Sequence, residues 1–460
     1  MSNLQIALAK RKFKLLFFLA IIILFSLVSL ITTNAALIFT DNIYNGVTIG
    51  NIPVGGLSLE EAKNAVLLTF KDRASKSPIT LQYQNKTWLI APQDIELTVN
   101  ADDLARQAHS VGRRGNIINI LTERYLAINN GYTIPFTQNY NYEKLHTLLT
   151  TIAKSIDTTP QNAFLVYNNN NIQITPEIWG QQVDLLTSLA DITAKLDTGI
   201  PFSSELTVRS QPPSIVSQDF TDIDNLIAVY TTQFDPNNKS RYQNVALASE
   251  KINKILVRAG AVFSFNQSVG LRLQEYGYKE APVLVDGKLL LDWGGGVCQV
   301  STTLYNAALL ADMQIEERSS HFQPPSYVPL GQDATVADNL LDFRFKNISP
   351  YNVYITSEVS NNQLTVSMFG KQILNSAEIR IESVSKSIGY NTLIKQDNSL
   401  ALGKQIIESE GQKGFEVATY RVKFINGQEI SRENLSSDEF KPDDRIIRIG
   451  TKLQLQQSSK

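Results

Sequence analysis

Thiol and imidazole side chains are scarce in this chain, which has one cysteine, Cys298, and three histidines among 460 residues. A single cysteine excludes a disulfide within the chain and any zinc or iron–sulfur site built from several thiolates. Because imidazole ligands are also few, we expect neither a catalytic metal centre nor a cofactor. Any chemistry should then come from the side chains themselves.

An excess of charge of one sign is also missing, since 42 Lys and Arg residues face 44 Asp and Glu residues, for a net charge of -2. Nucleic-acid binding relies on concentrated positive charge, so we expect no nucleic-acid partner. The hydrophobic share of 43% is typical of a folded globular protein. Domains usually have about 100 to 150 residues, so a chain of this length should contain several.

A long apolar run lies close to the start of the chain, at residues 15–31, and only two serines interrupt it. With its flank to residue 39 it can cross a bilayer, which needs about 20 helical residues. The residues just before it are basic and should stay in the cytoplasm: Lys10, Arg11, Lys12 and Lys14. We predict a cytoplasmic tail at residues 1–14, a single plasma-membrane anchor at 15–39, and an extracytoplasmic bulk. The alternative is a cleaved signal peptide, whose apolar core usually has only about 7 to 15 residues.

One stretch behind the apolar run occurs twice at a constant offset, so that Tyr83 aligns with Tyr167 and Pro92 with Pro176. Each copy has the pattern of two strands around an Asn-rich turn, a segment that begins with proline, and a helix. Another helix precedes each copy, and the first of these opens with a serine–glutamate capping box at Ser58. The sequence therefore predicts two small α+β modules, at residues 46–125 and 130–212.

The segment GVTIGNIPVGGLSLEEAKNAV, residues 46–66, followed by this duplicated unit, resembles the peptidoglycan-binding modules that follow the anchor in exported bacterial wall proteins. The resemblance implies contact with the cell wall. Peptidoglycan, or its peptides and glycans, is therefore the expected partner, besides the membrane that holds the N-terminal helix.

The middle of the chain, from about residue 234 to 370, resembles the VanW family, named for a gene in glycopeptide-resistance clusters. The matching stretches include RYQNVALASEKINKILVRAGAVFSFNQSVG and GGGVCQVSTTLYNAALLADMQIEERSSHFQPPSYVPLGQDATV. One residue departs from the family pattern, because Ala259 stands where a proline commonly precedes the glycine of the FSFN segment. We place this α+β domain at residues 220–370. The resemblance implies an envelope setting and leaves the reaction open.

Cys298 follows three glycines, residues 294–296, and stands at the start of a predicted helix. Unpaired backbone N–H groups in a first helical turn favour an anion and lower the pKa of a thiol. His321 and Asp333 follow in a segment with strand and turn character. By analogy, this order of residues is that of papain-like and transglutaminase-like enzymes. Cys298 would be the nucleophile, His321 the base, and Asp333, or Asp342 as second choice, would orient the imidazole.

In this hypothesis Cys298 attacks an amide or ester carbonyl, and backbone N–H groups of residues 296–298 stabilise the oxyanion. A lone free cysteine is also a common small filler of apolar cores, however. We therefore place first a non-catalytic envelope protein that binds or organises peptidoglycan. A cysteine-dependent acyl-transferase or amidase acting on wall peptides is the alternative.

Polar residues of the VanW-like segment are expected to line a groove for a glycan or a stem peptide, although some should serve only as caps and turn contacts. Two of them, Thr302 and Tyr305, share a helical face with Cys298 at spacings of four and seven. The full set is Arg241, Asn244, Asn266, Gln299, Thr302 and Tyr305.

Behind residue 370 the sequence predicts a β-rich tail, in which Asn426-Gly427 is the signal of a type I′ hairpin turn. The pieces SEGQKGFEVATYRVKFINGQEISRENLS and RIIRIGT resemble the G-five domain, a small extracellular β module. The resemblance implies adhesion or binding, and a purely structural spacer is the alternative. We place this domain at residues 378–452. The predicted fold class is multidomain α+β: an N-terminal transmembrane helix, tandem α+β modules, an α+β VanW domain and a small all-β domain.

Overall fold

A computed structural model of the chain describes residues 3–38, 40–76, 79–198, 202–285, 288–373 and 377–452. The chain divides into two compact units. The first unit contains Met1–Pro160 and Trp179–Pro212, and the second contains Gln161–Ile178 and Pro213–Lys460. The predicted mixed α+β multidomain architecture is confirmed.

Helices are found in both units. In chain order they are α1 (Asn3–Ile38), α2 (Leu59–Lys76), α3 (Ala101–Ser110), α4 (Ile117–Asn129), α5 (Tyr142–Lys154), α6 (Leu185–Thr198), α7 (Lys239–Ile252), α8 (Phe265–Val269) and α9 (Val297–Leu310).

Strands are also found in both units. Those up to residue 233 are β1 (Val47–Ile49), β2 (Ile52–Pro53), β3 (Ile79–Tyr83), β4 (Lys86–Ile90), β5 (Tyr132–Ile134), β6 (Phe164–Asn168), β7 (Asn171–Thr175), β8 (Gly180–Val183), β9 (Ser203–Glu205), β10 (Val208–Gln211) and β11 (Asn225–Gln233). The others are β12 (Ile255–Val257), β13 (Val262–Ser264), β14 (Glu280–Val285), β15 (Lys288–Trp293), β16 (Gln314–Glu317), β17 (Arg344–Lys346), β18 (Val353–Ser360), β19 (Gln363–Gly370), β20 (Glu378–Ile388), β21 (Thr392–Ala401), β22 (Gln405–Ser409), β23 (Gly414–Ile425), β24 (Gln428–Phe440) and β25 (Arg445–Lys452).

Helix α1 contains the apolar run found in the sequence. Its stretch Lys10–Ser29 is long and apolar enough to cross a membrane, and none of it is buried against the rest of the protein. Signal sequences near an N-terminus share these properties.

The first unit has two apolar cores, and their order along the chain differs from the predicted tandem modules. One core joins α2 and α3 with β1, which pairs in parallel with β5. The other joins the hairpin β3–β4 with α5 and α6, and here β3 pairs in parallel with β9, Thr80 opposite Ser203. Strand β9 belongs to the second sequence copy, so segments from both copies share one sheet. Parallel pairing requires a long connection between the two strands, which the residues between them supply. Each core thus contains residues from both predicted modules, 46–125 and 130–212.

Local predictions within the repeat are confirmed. The Ser58 hydroxyl and backbone N–H both donate to Glu61 Oε2 at 2.8 Å, which forms the capping box at the start of α2. The strand pairs β3–β4 and β6–β7 are antiparallel hairpins around the predicted Asn-containing turns.

The second unit is built around a four-stranded sheet of order β11-β19-β18-β12 and the helix α9, most of whose side chains are buried. The hairpin β6–β7, which belongs to the second sequence copy, packs on this sheet. The rings of Tyr167 and Phe369 meet edge to face with their centroids 5.1 Å apart. This hairpin is thus part of the core beside the VanW-like region.

The C-terminal residues of the second unit form two three-stranded sheets, of order β20-β23-β24 and β21-β25-β22. Asn426 and Gly427 both have positive φ, 51° and 79°, as a type I′ turn requires, so the hairpin predicted there is confirmed.

Candidate active site

Cys298 lies in the first turn of α9, as the sequence predicts, because glycines bring the chain tightly into that helix. Gly294 and Gly296 have φ of 79° and 111°, a region that favours glycine. A Cβ atom on Gly295 would lie 2.7 Å from the carbonyl oxygen of Ala281. Substitution at these positions would therefore move the start of α9 and with it the Cys298 thiol.

A polar stripe on α9 holds the segment 332–336 alongside the helix. Thr302 Oγ1 accepts a hydrogen bond from the backbone N–H of Ala334 at 3.0 Å, and Ser301 Oγ donates to the Ala334 carbonyl at 2.6 Å. At the C-terminal end of the segment, the Cys298 Sγ lies 3.4 Å from the carbonyl oxygen of Val336. These contacts fix the position of this segment, and with it Asp333, relative to the thiol.

His321 lies between Cys298 and Asp333. The backbone pairs Ser319 with Thr335 in an antiparallel bridge, which brings the two segments together. His321 donates its backbone N–H to Asp333 Oδ2 at 2.7 Å, and its Nδ1 lies 2.6 Å from the same oxygen. The ring is also close enough to Cys298 to stabilise the thiolate, while the Sγ atom itself lies 3.6 Å from Thr335 Oγ1 and 3.4 Å from the Val336 carbonyl oxygen. Nδ1 is thus directed to the acid, and Nε2 is left to serve the sulfur.

Cys298 and His321 shift each other's pKa. Burial disfavours the thiolate, but the hydrogen bond and charge of His321 outweigh it and lower the pKa of Cys298 to about 7. Burial also disfavours the imidazolium, yet hydrogen bonds to Asp333 and Cys298 raise the pKa of His321 to about 9. Between these values the site holds a thiolate beside an imidazolium. Such a pair is the resting state of a thiol nucleophile.

Asp333 has none of its surface exposed, and two partners hold its carboxyl group ionised. Burial would raise its pKa, but the hydrogen bond to His321 and the charge of Arg318 keep the pKa below its usual range. Arg318 Nη2 lies 3.0 Å from Asp333 Oδ1, and its Nε donates to the Asp333 carbonyl at 2.6 Å. Asp333 therefore faces His321 with one oxygen and Arg318 with the other.

Arg318 in turn binds a carboxylate from the C-terminal β region. Its Nη1 donates to both oxygens of Asp438, on β24, at 2.6 and 2.7 Å. Only 6% of the Arg318 side chain and 10% of that of Asp438 are exposed. A bidentate pair out of water is both strong and directional. Asp333 is thus connected, through Arg318, to a residue more than 100 positions further along the chain.

Two groups are suited to stabilise an oxyanion next to the sulfur. The backbone N–H of Cys298 donates to no acceptor among the described residues, although its neighbour Gln299 donates to Gly296 at 3.0 Å. The Tyr327 hydroxyl lies in the same buried region, near enough to Cys298 and Thr302 for both to affect its pKa. Burial raises the pKa of Tyr327, so its hydroxyl stays protonated and can donate.

Four of the residues predicted to line a ligand groove are buried instead, which corrects that prediction. Asn244 binds the carbonyls of Lys279 and Gly295, and so supports the glycine turn. Thr302 supports the Asp333 segment, and the ring of Tyr305 packs under the Arg318 guanidinium at 5.7 Å. Gln299, 1% exposed, fastens α9 to β11 through the Gln233 carbonyl. These side chains are hydrogen-bonded or packed inside the protein because the polar face of α9 is covered.

The two remaining predicted ligand residues are half-buried. Asn266 donates to the carbonyls of Ala337 and Leu341 and so holds a loop in place. Arg241 donates to Gln299 Oε1 at 2.9 Å, and its side chain packs against Gly296. Asp342, the second choice for the triad acid, receives hydrogen bonds from Ser264 and Asn266 and does not contact His321.

Sequence patterns do not single out Arg318, Tyr327 or Asp438. The sequence offers one usable sign for Arg318, which is a positive charge three residues before His321. Its partner Asp438 lies in another domain and could not be found in this way. No group of three or more His, Cys, Asp or Glu side chains in the described parts of the chain is placed to hold a metal ion.

Three protein-family models match this chain. The model "VanW like protein" matches residues 240–369, "Putative peptidoglycan binding domain" matches 88–202, and "G5 domain" matches 379–452. The chain is also 32% identical over 255 residues to the uncharacterized protein YoaR of Bacillus subtilis, which covers 55% of this chain and 82% of that protein. The chain belongs to the VanW-like family. It is a YoaR-like member with a C-terminal G5 domain, so the family predicted from its residues is confirmed.

Other relatives match parts of this VanW-like protein. The vancomycin B-type resistance protein VanW of Enterococcus faecalis is 30% identical over 135 residues, covering 28% of this chain and 49% of its own length. A solved structure titled "IgA1 Protease G5 domain structure" is 32% identical, covers 16% of this chain and 90% of its own, and has a TM-score of 0.15. The peptidoglycan-binding and VanW matches make this a cell-wall-associated protein.

Proposed function

We propose that this VanW-like protein is a thiol acyl-transferase or amidase that acts on the peptides of peptidoglycan, held at the outer face of the plasma membrane by α1. One observation carries the catalytic part: the half-buried Cys298 thiol interacts with the His321 ring, and that ring is bound through Nδ1 to the buried Asp333 carboxylate at 2.6 Å. A cysteine that only fills space needs neither a polarising imidazole nor an acid behind it. The family match to a peptidoglycan-binding domain supports the wall as substrate.

The acylation step follows from the thiolate–imidazolium pair. The Cys298 sulfur attacks an amide carbonyl carbon, and the carbonyl oxygen takes the negative charge near the Cys298 N–H and the Tyr327 hydroxyl. His321 then gives its Nε2 proton to the leaving nitrogen as the carbon–nitrogen bond breaks. The products are a free amine and a thioester on Cys298.

The second step regenerates the enzyme. An amine of another wall peptide, or a water molecule, attacks the thioester while His321 takes a proton from it. The sulfur leaves as the thiolate, and the imidazolium is restored. An amine gives a new amide, hence a cross-link, whereas water gives hydrolysis. Throughout, Asp333 keeps Nδ1 protonated and stabilises the charged ring.

The experiment that tests this proposal is a search for the acyl-enzyme. Full-length protein in detergent is mixed with soluble peptidoglycan fragments, and its intact mass is measured. We expect an added mass of one fragment minus the leaving amine, removed by neutral hydroxylamine and absent in Cys298→Ser. The same serine variant should still sediment with purified wall material. Binding by both proteins without any adduct or altered fragment would instead favour the non-catalytic, wall-organising function.

Arg241 provides a prediction about the substrate. Its side chain packs on the turn that carries Cys298, and it forms no ion pair with a carboxylate of the described residues. A carboxylate of the wall peptide is the natural partner for such a half-buried guanidinium. We therefore expect Arg241→Gln to raise KM for acidic fragments by roughly tenfold with a smaller change in kcat.

The matched control for Arg241 is Lys239→Gln on the same helix, which removes the same charge from an exposed position. It should leave KM unchanged. Equal effects of the two substitutions would mean that general electrostatic attraction, and no specific contact with Arg241, accounts for the loss.

A further inference from the structure

Helix α4 of the first unit carries large apolar side chains on its outer face. Five of them are between 44% and 70% exposed: Ile117, Ile118, Leu121, Tyr125 and Ile128. At about 100° per residue, all five project within roughly one third of a turn. The side of α4 next to this stripe is packed against the first unit, with Arg124 and Ala127 buried. The helix is therefore amphipathic with an uncovered apolar stripe.

Such a stripe is unusual for a surface that meets only water. A single exposed apolar residue needs no explanation, whereas a contiguous row marks a surface that binds something. The stripe adds little to the core of the first unit, since each of its five side chains keeps at least 44% of its surface exposed and none belongs to that core. What covers it must therefore lie outside that unit's core.

The position of α4 indicates what that partner is. The loop before it and the end of α3 are fastened to the residues that follow α1, because Arg113 Nη2 donates to the Thr40 carbonyl at 2.8 Å and His109 Nε2 lies 2.9 Å from the Asp41 carbonyl. Thr40 is two residues beyond the last residue of α1, Ile38, and two extended residues span at most about 7 Å.

Contacts with Tyr44 strengthen this attachment. The guanidinium of Arg113 lies 4.4 Å from the centre of the Tyr44 ring, and that of Arg124, on α4 itself, lies 5.1 Å from it. Both α4 and its preceding loop are thus held at the point where the chain leaves α1. If α1 spans a bilayer, α4 is held at the surface of that bilayer.

The polar groups around the stripe suit lipid headgroups. Arg114 is exposed in the loop that leads into α4, and it forms no ion pair with the described residues. A lipid phosphate would supply its missing partner. Tyr125 combines an apolar ring with a hydroxyl, the property that concentrates tyrosine at membrane interfaces.

We propose that α4 lies flat in the outer headgroup layer of the membrane that α1 crosses, with its apolar stripe against the acyl chains. The partner is a phospholipid bilayer surface, and the geometry is that of an interfacial amphipathic helix. This inference rests on the proposed anchoring by α1. Its consequence is that the first unit is attached to the membrane at two places, which limits its rotation about the anchor.

The test uses the full-length chain with Cys298→Ser, so that one introduced cysteine carries a fluorescent probe. Leu121→Cys places the probe in the stripe, Ala20→Cys places it in α1, and Leu186→Cys, at a side chain 81% exposed on α6, is the matched control. Each protein is placed in vesicles of phosphatidylcholine and phosphatidylglycerol. Lipids brominated on their acyl chains quench a probe that lies in the bilayer, whereas aqueous iodide quenches a probe that is exposed to water.

We expect brominated lipid to quench the probes at residues 20 and 121 and to leave the probe at 186 unaffected, with iodide acting several-fold more strongly on residue 186 than on residue 121. Lipid quenching at residue 20 but not at 121 would overturn the docking of α4 and leave the anchor intact. Absence of lipid quenching at residue 20 would show that anchoring itself fails. Protection of residue 121 from both quenchers, with cross-linking between copies, would assign the stripe to a dimer and also overturn the proposal.

Discussion

Replacing His321 with Asn is expected to slow alkylation of Cys298 at pH 7 by more than tenfold. Without the imidazolium, burial is opposed only by the weaker hydrogen bonds to Val336 and Thr335, so the pKa of the thiol rises from about 7 toward its ordinary value. At a pKa near 8.5 only about 3% of a thiol is ionised at neutral pH, against about half at a pKa of 7. Because the chain has one cysteine, the rate of iodoacetamide uptake by the unmodified protein reports this site alone.

The rates of alkylation and of turnover should change with pH as Cys298 and His321 lose their protons. In the natural protein the alkylation rate should rise as the pH passes about 7, where Cys298 loses its proton. Turnover of wall peptides needs the thiolate and the His321 proton together, so it should rise near pH 7 and fall as the pH passes about 9. The two limbs belong to the coupled pair rather than to either residue alone.

His146→Asn is the matched control for this prediction, because it removes the same side chain from α5 in the first unit. It should leave the alkylation profile unchanged. If His321→Asn has the same profile as the natural protein at every pH, the imidazole does not activate the thiol and the catalytic proposal fails.

Asp438 belongs to the G5 domain, and Asp438→Asn is expected to disturb the arrangement of Asp333, His321 and Cys298. The amide can no longer form the bidentate ion pair with Arg318, whose remaining carboxylate partner is then Asp333. The guanidinium should draw Asp333 away from His321, which lowers the pKa of His321 and raises the pKa of the Cys298 thiol. We expect alkylation at pH 7 to slow several-fold. Loss of one partner from a buried ion pair should also lower the free energy of unfolding by about 3 kcal/mol.

Lys423→Gln separates the two consequences of the Asp438 substitution. Lys423, also in the G5 domain, pairs with Asp312 of the VanW region at 2.6 Å and does not contact the Arg318 pair. Its removal should lower thermal stability modestly, since the pair is partly exposed, and should leave the alkylation profile unchanged. If Asp438→Asn lowers the melting temperature but not the alkylation rate, Asp438 only joins the domains and does not position the triad.

Much of the candidate site was predictable because its signals are local. Glycines at residues 294–296 mark a turn that other residues cannot make, and the helix behind them places Cys298 in a first turn whatever the rest of the chain does. The order of Cys298, His321 and Asp333 suggested their roles. Their proximity depended on the pairing of residues 319 and 335, for which the sequence has no distinct signal.

The predicted ligand residues show where such inference fails. Thr302 and Tyr305 do share a helical face, but the spacing of polar residues on a helix does not reveal whether that face meets solvent or a covering segment. In this protein residues 332–336 cover it, and hydroxyl groups that look available for a ligand are used by backbone groups of that segment. Polar side chains inside a protein need partners, so buried networks and binding sites have similar compositions.

The sequence by itself determined the family, the mixed α+β class, the apolar N-terminal helix, the capped helices and the hairpin turns. These features depend on residues within one or two turns of one another, or on patterns long enough to be matched directly. Only the tertiary structure decided that strands of the two repeat copies share a sheet and that Asp438 is joined to Asp333 through Arg318. It also revealed that α4 leaves an apolar stripe uncovered. Contacts of this kind join positions far apart in the chain. They form only when the helices and strands pack together, because that packing determines which face of each element is buried.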